Sequence, residues 1–320
     1  MQVYLIRRAA QMVVLLLFIS ALVFSILHLV PGGPLDELRF SNPRISPEHI
    51  KQLEALLGLD KPLHERYVAW LLDVLRGDWG TSWGVAYGQP VIGLIGSRLG
   101  NTVILMGLST LVALLIAIPI GVYSAVRQYS LGDYLVTALS FFGTSMPTFW
   151  FGVMMLIVFS VLLRWLPPGE VSTPGLENDL LDRLRHLAMP VAVLSLFHVA
   201  GWSRYIRSSM LEVMEQDFLR TARAKGLPET LVVMKHALRN ALIPFITLVG
   251  LTLPDLFGGA IITETIFAWA GMGRLYYDAI LASDWPLLQA LMVIIALLVI
   301  ASNLLADLLY ALVDPRIRYG

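Results

Sequence analysis

Cysteine is absent from the 320 residues, which excludes disulfides, Cys-ligated zinc and thiol catalysis. Charge is scarce. Asp, Glu, Lys and Arg make up 14% of the chain against 57% apolar residues, a balance foreign to soluble domains. The histidines, His28, His49, His64, His186, His198 and His236, are scattered with no HExxH or related metal spacing. No GxxxxGK[ST] occurs, so a P-loop is excluded and ATP-driven work would fall to another polypeptide. GMGRLY, starting at Gly271, lacks the last glycine of GxGxxG and follows no strand, so a dinucleotide reading fails. GTSMPTFW does not match GxSxG, so Ser145 is no nucleophile elbow. With no nucleophile–base pair and no metal set, no catalytic residue is assigned and the chain does not read as an enzyme. A net charge of zero offers no argument for nucleic acid, because the charges are segregated by loop and must be read locally.

What is present is apolar runs of 18 residues or more, long enough to cross about 30 Å of hydrocarbon. The first covers about 9–30 behind Arg7 and Arg8; its length, and HLVPGGP in place of a small-residue cleavage site, indicate an uncleaved span. Residues 31–94 form a polar external segment. Pro47 can open a helix through Ile50, Leu53, Leu56 and Leu57, ended by Gly58. A second helix carries Leu63, Tyr67, Trp70, Leu71, Val74 and Leu75 and stops at Gly77. GDWGTSWGVAYGQP then reads as an interfacial loop whose Trp residues anchor at the membrane surface or touch a ligand. Further spans are expected at about 101–126, 134–165 (kinked at Pro147), 186–210, 241–268 (broken by Pro244, Pro254, Gly258 and Gly259) and 287–312. The fold class is therefore all-α integral membrane with six spans.

Basic residues orient them. With the N-terminus inside, Arg7, Arg8, Arg127, Arg204, Arg207, Arg220, Arg223, Lys225, Lys235, Arg239, Arg316 and Arg318 fall on the cytoplasmic side. The two short outer loops hold Arg183, Arg185 and Arg274, with Arg164 at a border. The positive-inside rule then places both termini in the cytoplasm.

One polar island stands between the fourth and fifth spans: Asp217, Phe218, Leu219, Arg220, Thr221, Ala222, Arg223, Ala224, Lys225 and Gly226, followed by Leu227 and Pro228. Asp217 is expected to cap a two-turn helix and Gly226 to supply its left-handed terminus. Phe218, Leu219 and Ala222 share one side, with Arg220, Arg223 and Lys225 on the other turns. So short a helix needs a partner surface. It is either a positive loop that fixes topology or a docking element that passes force from a soluble partner. Within the spans, Asp255 in TLPDLFGG either lines a passage or bonds to backbone freed by Pro254. Glu264, nearer the outer border, is expected to be solvated or to pair helices. His198 reads as a helix–helix contact.

DFLRTARAKGL followed by HALRNALIP resembles the cytoplasmic signature loop of bacterial ABC importer permeases. In that family an EAA-x3-G element forms a short helix that docks into a groove of the ATPase. Laid on this chain the glycine is Gly226, with Arg220, Thr221 and Ala222 where the glutamate and alanines stand. LIRR before the first span, GDWGTSW with QPV, SMPTFWFG, ETIFAWAGMGRL and the final DLLYALVDPRIRY resemble the B-type permease of the dipeptide/oligopeptide/nickel branch.

The resemblance covers essentially the whole chain. It implies a type I importer permease: one N-terminal helix (1–30), the external segment (31–94), a core of five helices (95–312) with the coupling loop at 210–240, and a cytoplasmic tail (313–320). It implies a bacterial inner-membrane location, a second permease subunit, two ATP-binding subunits that carry ATP and Mg, an external substrate-binding protein, and no cofactor on this chain. Peptides are the expected cargo; nickel chelates, glutathione and oligosaccharides are carried by similar proteins. Ser145, Pro147, Asp255 and Glu264 are the candidate pathway residues, although relatives tend to be uncharged at the Asp255 position. An ion-coupled secondary transporter is the rival class. It would use Asp255 and Glu264 as ion sites, but the sequence shows no inverted repeat.

Overall fold

The computed structural model describes residues 2–29 and 60–313, and every regular element among them is helical. The expected helix opened by Pro47 lies outside the described residues. The elements are α1 (Gln2–Leu29), α2 (Leu63–Leu75), α3 (Val91–Val126), α4 (Leu131–Ser145), α5 (Thr148–Met155) continued by a π-helical stretch at Leu156–Leu162, and α6 (Leu180–Met214). Then come α7 (Asp217–Ala224), a single turn at Glu229–Leu231, a π-helical stretch at Val232–Ala237, α8 (Leu238–Ile266), α9 (Met272–Leu281) and α10 (Trp285–Val313). Among the described residues five helices are long and apolar enough to cross a membrane, and the bent pair α4–α5 makes up to six. By contacts the chain divides into two compact units, Met1–Arg98 with Leu275–Ile300, and Leu99–Arg274 with Ala301–Gly320.

Several helix ends follow from local chemistry. Ser130 Oγ accepts the Asp133 N–H at 3.2 Å and starts α4. Asp179 accepts the Leu181 N–H at 2.8 Å, so α6 begins six residues before the expected His186. The corner after α4 is sharper than the expected kink: α4 and α5 meet at 103°. Met146 is extended (φ −83°, ψ 134°) because a residue before proline is pushed out of the helical region, and Pro147 is extended as well (ψ 131°). Two successive non-helical residues make an elbow. By contrast, α8 runs unbroken through Pro244 and Pro254, where breaks were expected. Proline inside a helix in an apolar medium is tolerated where neighbouring groups satisfy the carbonyl it frees, and the rest of the ladder continues on either side.

In the second unit, α6 packs against α4, α5 and α8. Its closest approach to α3 is at Gly121, where a Cβ would lie 2.8 Å from both Ile206 Cβ and the Ser203 carbonyl oxygen. Gly250 makes a similar approach, with Ala306 Cβ 2.7 Å from where its own would be.

In the first unit the Trp-rich loop 78–90 is ordered around one carboxylate. Asp284 is fully buried and accepts from Ser82 Oγ (2.5 Å) and from the N–H groups of Gly84 (3.0 Å) and Val85 (3.1 Å). Its other oxygen takes the Leu287 N–H at 3.3 Å and caps α10. Burial alone would raise the Asp284 carboxyl, but Ser82 and the Gly84, Val85 and Trp83 N–H groups outweigh it and leave its pKa lowered. Gly84 is required here because a Cβ would come within 2.5 Å of the Ala282 carbonyl oxygen.

Two outcomes follow for purified protein in detergent. Gly121→Val forces a side chain into the α3–α6 contact and is expected to cost about 1–3 kcal/mol, read as a lower melting temperature, with Gly121→Ala falling between. The Asp284 contribution is present above the unfolded carboxyl value of about 3.9 and is lost as pH falls through the lower folded value. The gap in melting temperature between wild type and Asp284→Asn should therefore close as pH drops below about 4.

Candidate functional site: a short helix fastened to two spans

The helix α7 lies between the ends of α6 and α8, all within the second unit. Its two faces differ sharply. Leu219 is fully buried and Ala222 nearly so, in one cluster with Ile206 and Met210 of α6, Val232, Val233 and Ala237 of the π-helical stretch, and Ala117 and Val122 of α3. Burying a leucine side chain is worth about 1.5–3 kcal/mol, enough to hold a helix too short to persist alone. On the outer face Phe218 is 44% exposed, and Arg220 and Asp217 are solvated, with an ion pair at 3.5 Å that contributes little.

The C-terminus closes in the form expected from Gly226. The glycine has φ +77°; its N–H bonds to the Arg223 carbonyl at 2.9 Å and the Leu227 N–H to the Ala222 carbonyl at 3.4 Å, a Schellman pair. A Cβ on Gly226 would meet nothing within 4 Å, so the demand is conformational and not steric. Arg223 forks onto Glu229 (Nη2 to Oε1 2.9 Å, Nε to Oε2 3.1 Å), bracing the turn from outside. The Glu229 carboxylate raises the Arg223 pKa further.

Three expectations are corrected. Asp217 does not cap the helix: Gln216 is the N-cap and makes no side-chain bond, while Asp217 begins the first turn, where its charge still suits the positive end. Phe218 does not share a side with Leu219 and Ala222: those two turn into the protein's own core, while Phe218 stays on the outer face. Arg223 is already engaged by Glu229 and is less available to an outside partner than Arg220. Thr221 bonds back to the Asp217 carbonyl at 3.1 Å, and Ala224 and Lys225 are exposed.

An ion pair between buried Asp133 and partly buried Arg207 ties the C-terminal part of α6 to the first turn of α4. Arg207 Nε and Nη2 reach the two oxygens of Asp133 at 2.7 and 2.9 Å; Asp133, 2% exposed, also accepts from Ser124 Oγ and from the Tyr129 N–H (2.9 Å). Nearby, Ser209 Oγ donates to the Ala241 carbonyl of α8 at 3.0 Å. Sequence reading counted Arg207 as a loop cation and passed over Asp133. The signal was there: Ser-x-x-Asp at a helix start, and a lone acid near an Arg in apolar surroundings.

Glu264, expected to be solvated or to pair helices, is fully buried and is a folding group. It accepts from Thr102 Oγ1 (2.7 Å) and from the N–H groups of Gly273 (2.7 Å) and Arg274 (3.1 Å), and so caps α9. Thr102 Oγ1 in turn takes the Met272 N–H at 2.8 Å. A Cβ on Gly271 would sit 2.3 Å from the Glu264 carboxylate, so the GMG motif is the room this carboxylate needs. Ser145 and Pro147 are exposed at the α4–α5 elbow. Asp255 lies on the continuous α8; its side chain is outside the described residues. His198 lies beside Trp202 one turn on in the same helix, ring centroids 4.8 Å apart and planes tilted by 35°.

Comparison with known proteins agrees along the chain. A family described as "Binding-protein-dependent transport system inner membrane component" matches residues 117–319, and its N-terminal companion, "Binding-prot-dependent transport system membrane comp, N-term", matches 1–95. The oligopeptide transport system permease protein AppB of Bacillus subtilis is 46% identical over 319 residues, covering all of both chains. The dipeptide transport system permease protein DppB of Escherichia coli K12 is 37% identical, covering 99% of this chain and 98% of that one. In structure, the inward-facing MetNI methionine ABC transporter aligns with TM-score 0.57 at 18% identity over 70% of this chain and 97% of that chain, a likeness of fold.

Breaking the Asp133–Arg207 pair from one side leaves a buried charge unpaired. Asp133→Leu or Arg207→Met alone is expected to cost about 3–5 kcal/mol, whereas the double variant should recover most of the loss. Thermal melts of the four proteins check this; equal loss in single and double variants would show that the pair does not act as a unit.

Proposed function

The chain belongs to the family of binding-protein-dependent transport system inner membrane components, and we propose that it is the permease subunit of a peptide importer whose α7 is the docking site for a separate ATPase. That it is a transporter subunit and not an enzyme follows from its family. Peptides as cargo rest on the oligopeptide and dipeptide permeases that it resembles over its full length. In this reading six helices span the bacterial inner membrane with both termini cytoplasmic, the bent pair α4–α5 counting as one span, and the core runs from about 95 to 312.

One observation carries the docking role. A helix of two turns shows Phe218 and Arg220 to the outside while Leu219 and Ala222 fasten it to α6, α3 and the start of α8. A partner that grips the outer face therefore pulls on two spans together. Phe218 supplies the apolar anchor, since a desolvated aromatic at the centre of an interface is the usual energetic focus, and Arg220 and Lys225 supply charge at its edge. The partners are two ATP-binding subunits holding ATP and Mg, a second permease of the same fold, and an external substrate-binding protein. ATP-driven closure would move α7 as a lever, and the passage would open beside the exposed elbow at Ser145 and Pro147. Ion-coupled transport is not favoured: Glu264, one of its two candidate ion sites, is occupied as a helix cap.

Phe218→Ala with Arg220→Ala should abolish co-purification of the ATPase in mild detergent while leaving the melting temperature close to wild type, because both side chains are exposed. Gly226→Asn, which accepts a positive φ, should retain coupling, and Gly226→Pro should lose it. Retained peptide uptake and stimulated ATP hydrolysis in Gly226→Pro would exclude the lever.

A further inference from the structure

The helix α2 belongs to the segment expected to stand free outside the membrane, yet its contacts are with the interior of a span. The Tyr67 hydroxyl hydrogen-bonds Ser20 Oγ at 2.8 Å and donates to the Leu17 carbonyl at 3.2 Å. Phe24 packs on both Tyr67 and Trp70, with centroids 5.6 and 5.9 Å away. The described part of α1 ends at Leu29, one residue before the end of the apolar run at Val30. At 1.5 Å per residue, Phe24 lies about 7 Å and Ser20 about 14 Å below Leu29, the latter close to the middle of a 30 Å hydrocarbon layer.

The pattern around α2 matches that depth. At 100° per residue Trp70, Leu63, Val74 and Tyr67 form the stripe that meets α1. Leu71, Leu75, Val68 and Leu72 continue the apolar arc beyond it, interrupted by His64 in the first turn, and Glu65, Arg76, Ala69, Asp73 and Arg66 make up the opposite, polar arc. The part of the apolar arc that α1 does not cover is bare: Val68, Leu72 and Leu75 are 52%, 47% and 75% exposed. The span beside it is bare too, with Phe18, Leu22 and Ile26 about half or more exposed.

We propose that α2 is a membrane-interface helix, lying in the leaflet at the Leu29 end of α1, with Val68, Leu72 and Leu75 in the acyl chains and Glu65, Asp73 and Arg76 toward water. Amphipathic helices that lie in the interface plane sink their apolar face about 5–10 Å below the headgroup boundary, the depth at which Phe24 holds this one. Tyr67 reaches deeper because its ring is apolar and its hydroxyl is satisfied by Ser20 and Leu17. The proposal rests on α1 spanning the bilayer; with both termini cytoplasmic the leaflet is the outer one. It makes α2 a lipid-held brace at the entrance of the transporter instead of part of a free external domain.

The absence of native cysteine makes the test direct. Single cysteines at Leu72, Leu75, Asp73 and, on α1, Phe18 are spin-labelled in the full-length protein, assembled with its partner subunits in lipid nanodiscs. Collision with oxygen, which partitions into lipid, is compared with collision with a water-soluble nickel chelate. The expected result is an oxygen-to-nickel ratio severalfold higher at positions 72 and 75 than at 73, and highest at 18. A high ratio at 18 with nickel-accessible labels at 72 and 75 would overturn the interface position alone. Labels at 72 and 75 shielded from both agents would overturn it in favour of a covering protein chain. Nickel access at 18 as well would overturn the spanning reading of α1 itself.

Discussion

Inside an apolar protein every backbone N–H that leaves a helix still needs an acceptor, and three buried carboxylates meet that need at the points where this chain turns. Asp133 takes the Tyr129 N–H at the turn before α4, Glu264 those of Gly273 and Arg274 in the first turn of α9, and Asp284 those of Gly84 and Val85 in the loop 78–90 and of Leu287 in the first turn of α10. Water cannot do this work where it is excluded, and an unpaired buried group costs about 1–3 kcal/mol. The turns of the fold, and the small residues at Gly84, Gly271 and Gly273, are arranged around these acids.

That arrangement explains why α7 can serve as a handle. Its inward residues join a core shared with α3, α6 and the π-helical stretch, and its base is stiffened by Arg207 on Asp133 and by Ser209 on the Ala241 carbonyl. The outward residues carry no comparable internal packing. A force applied at Phe218 thus meets a surface that belongs to two spans and not to a loop. The elbow at Met146–Pro147, two residues of extended backbone between helices, is the least regular point within the spans.

Much of this was legible in the residues. Apolar length and the scarcity of charge marked the long apolar helices, Gly226 announced its own left-handed turn, and the polar island between two of them marked the short helix α7. Three features were not legible. Leu219 and Phe218 look equivalent in sequence, and the face each takes is decided by where α6 and α8 stand. Glu264 and Asp284 look like border charges until the N–H groups that converge on them are known. Pro147 and Pro254 are the same residue in similar apolar runs, yet one makes an elbow and the other sits in an unbroken helix.

Sequence by itself determined the medium, the number of long apolar runs and the family, because these depend on composition and on local spacing along one strand of chain. Tertiary structure alone decided which charges are paired, which face of α7 is exposed and which residues of α1 meet α2. Those properties belong to contacts between residues far apart in the chain, such as Ser20 with Tyr67, Thr102 with Glu264 and Asp133 with Arg207. Local propensity is silent about them, since the energy of pairing a buried polar group is set by the partner that reaches it.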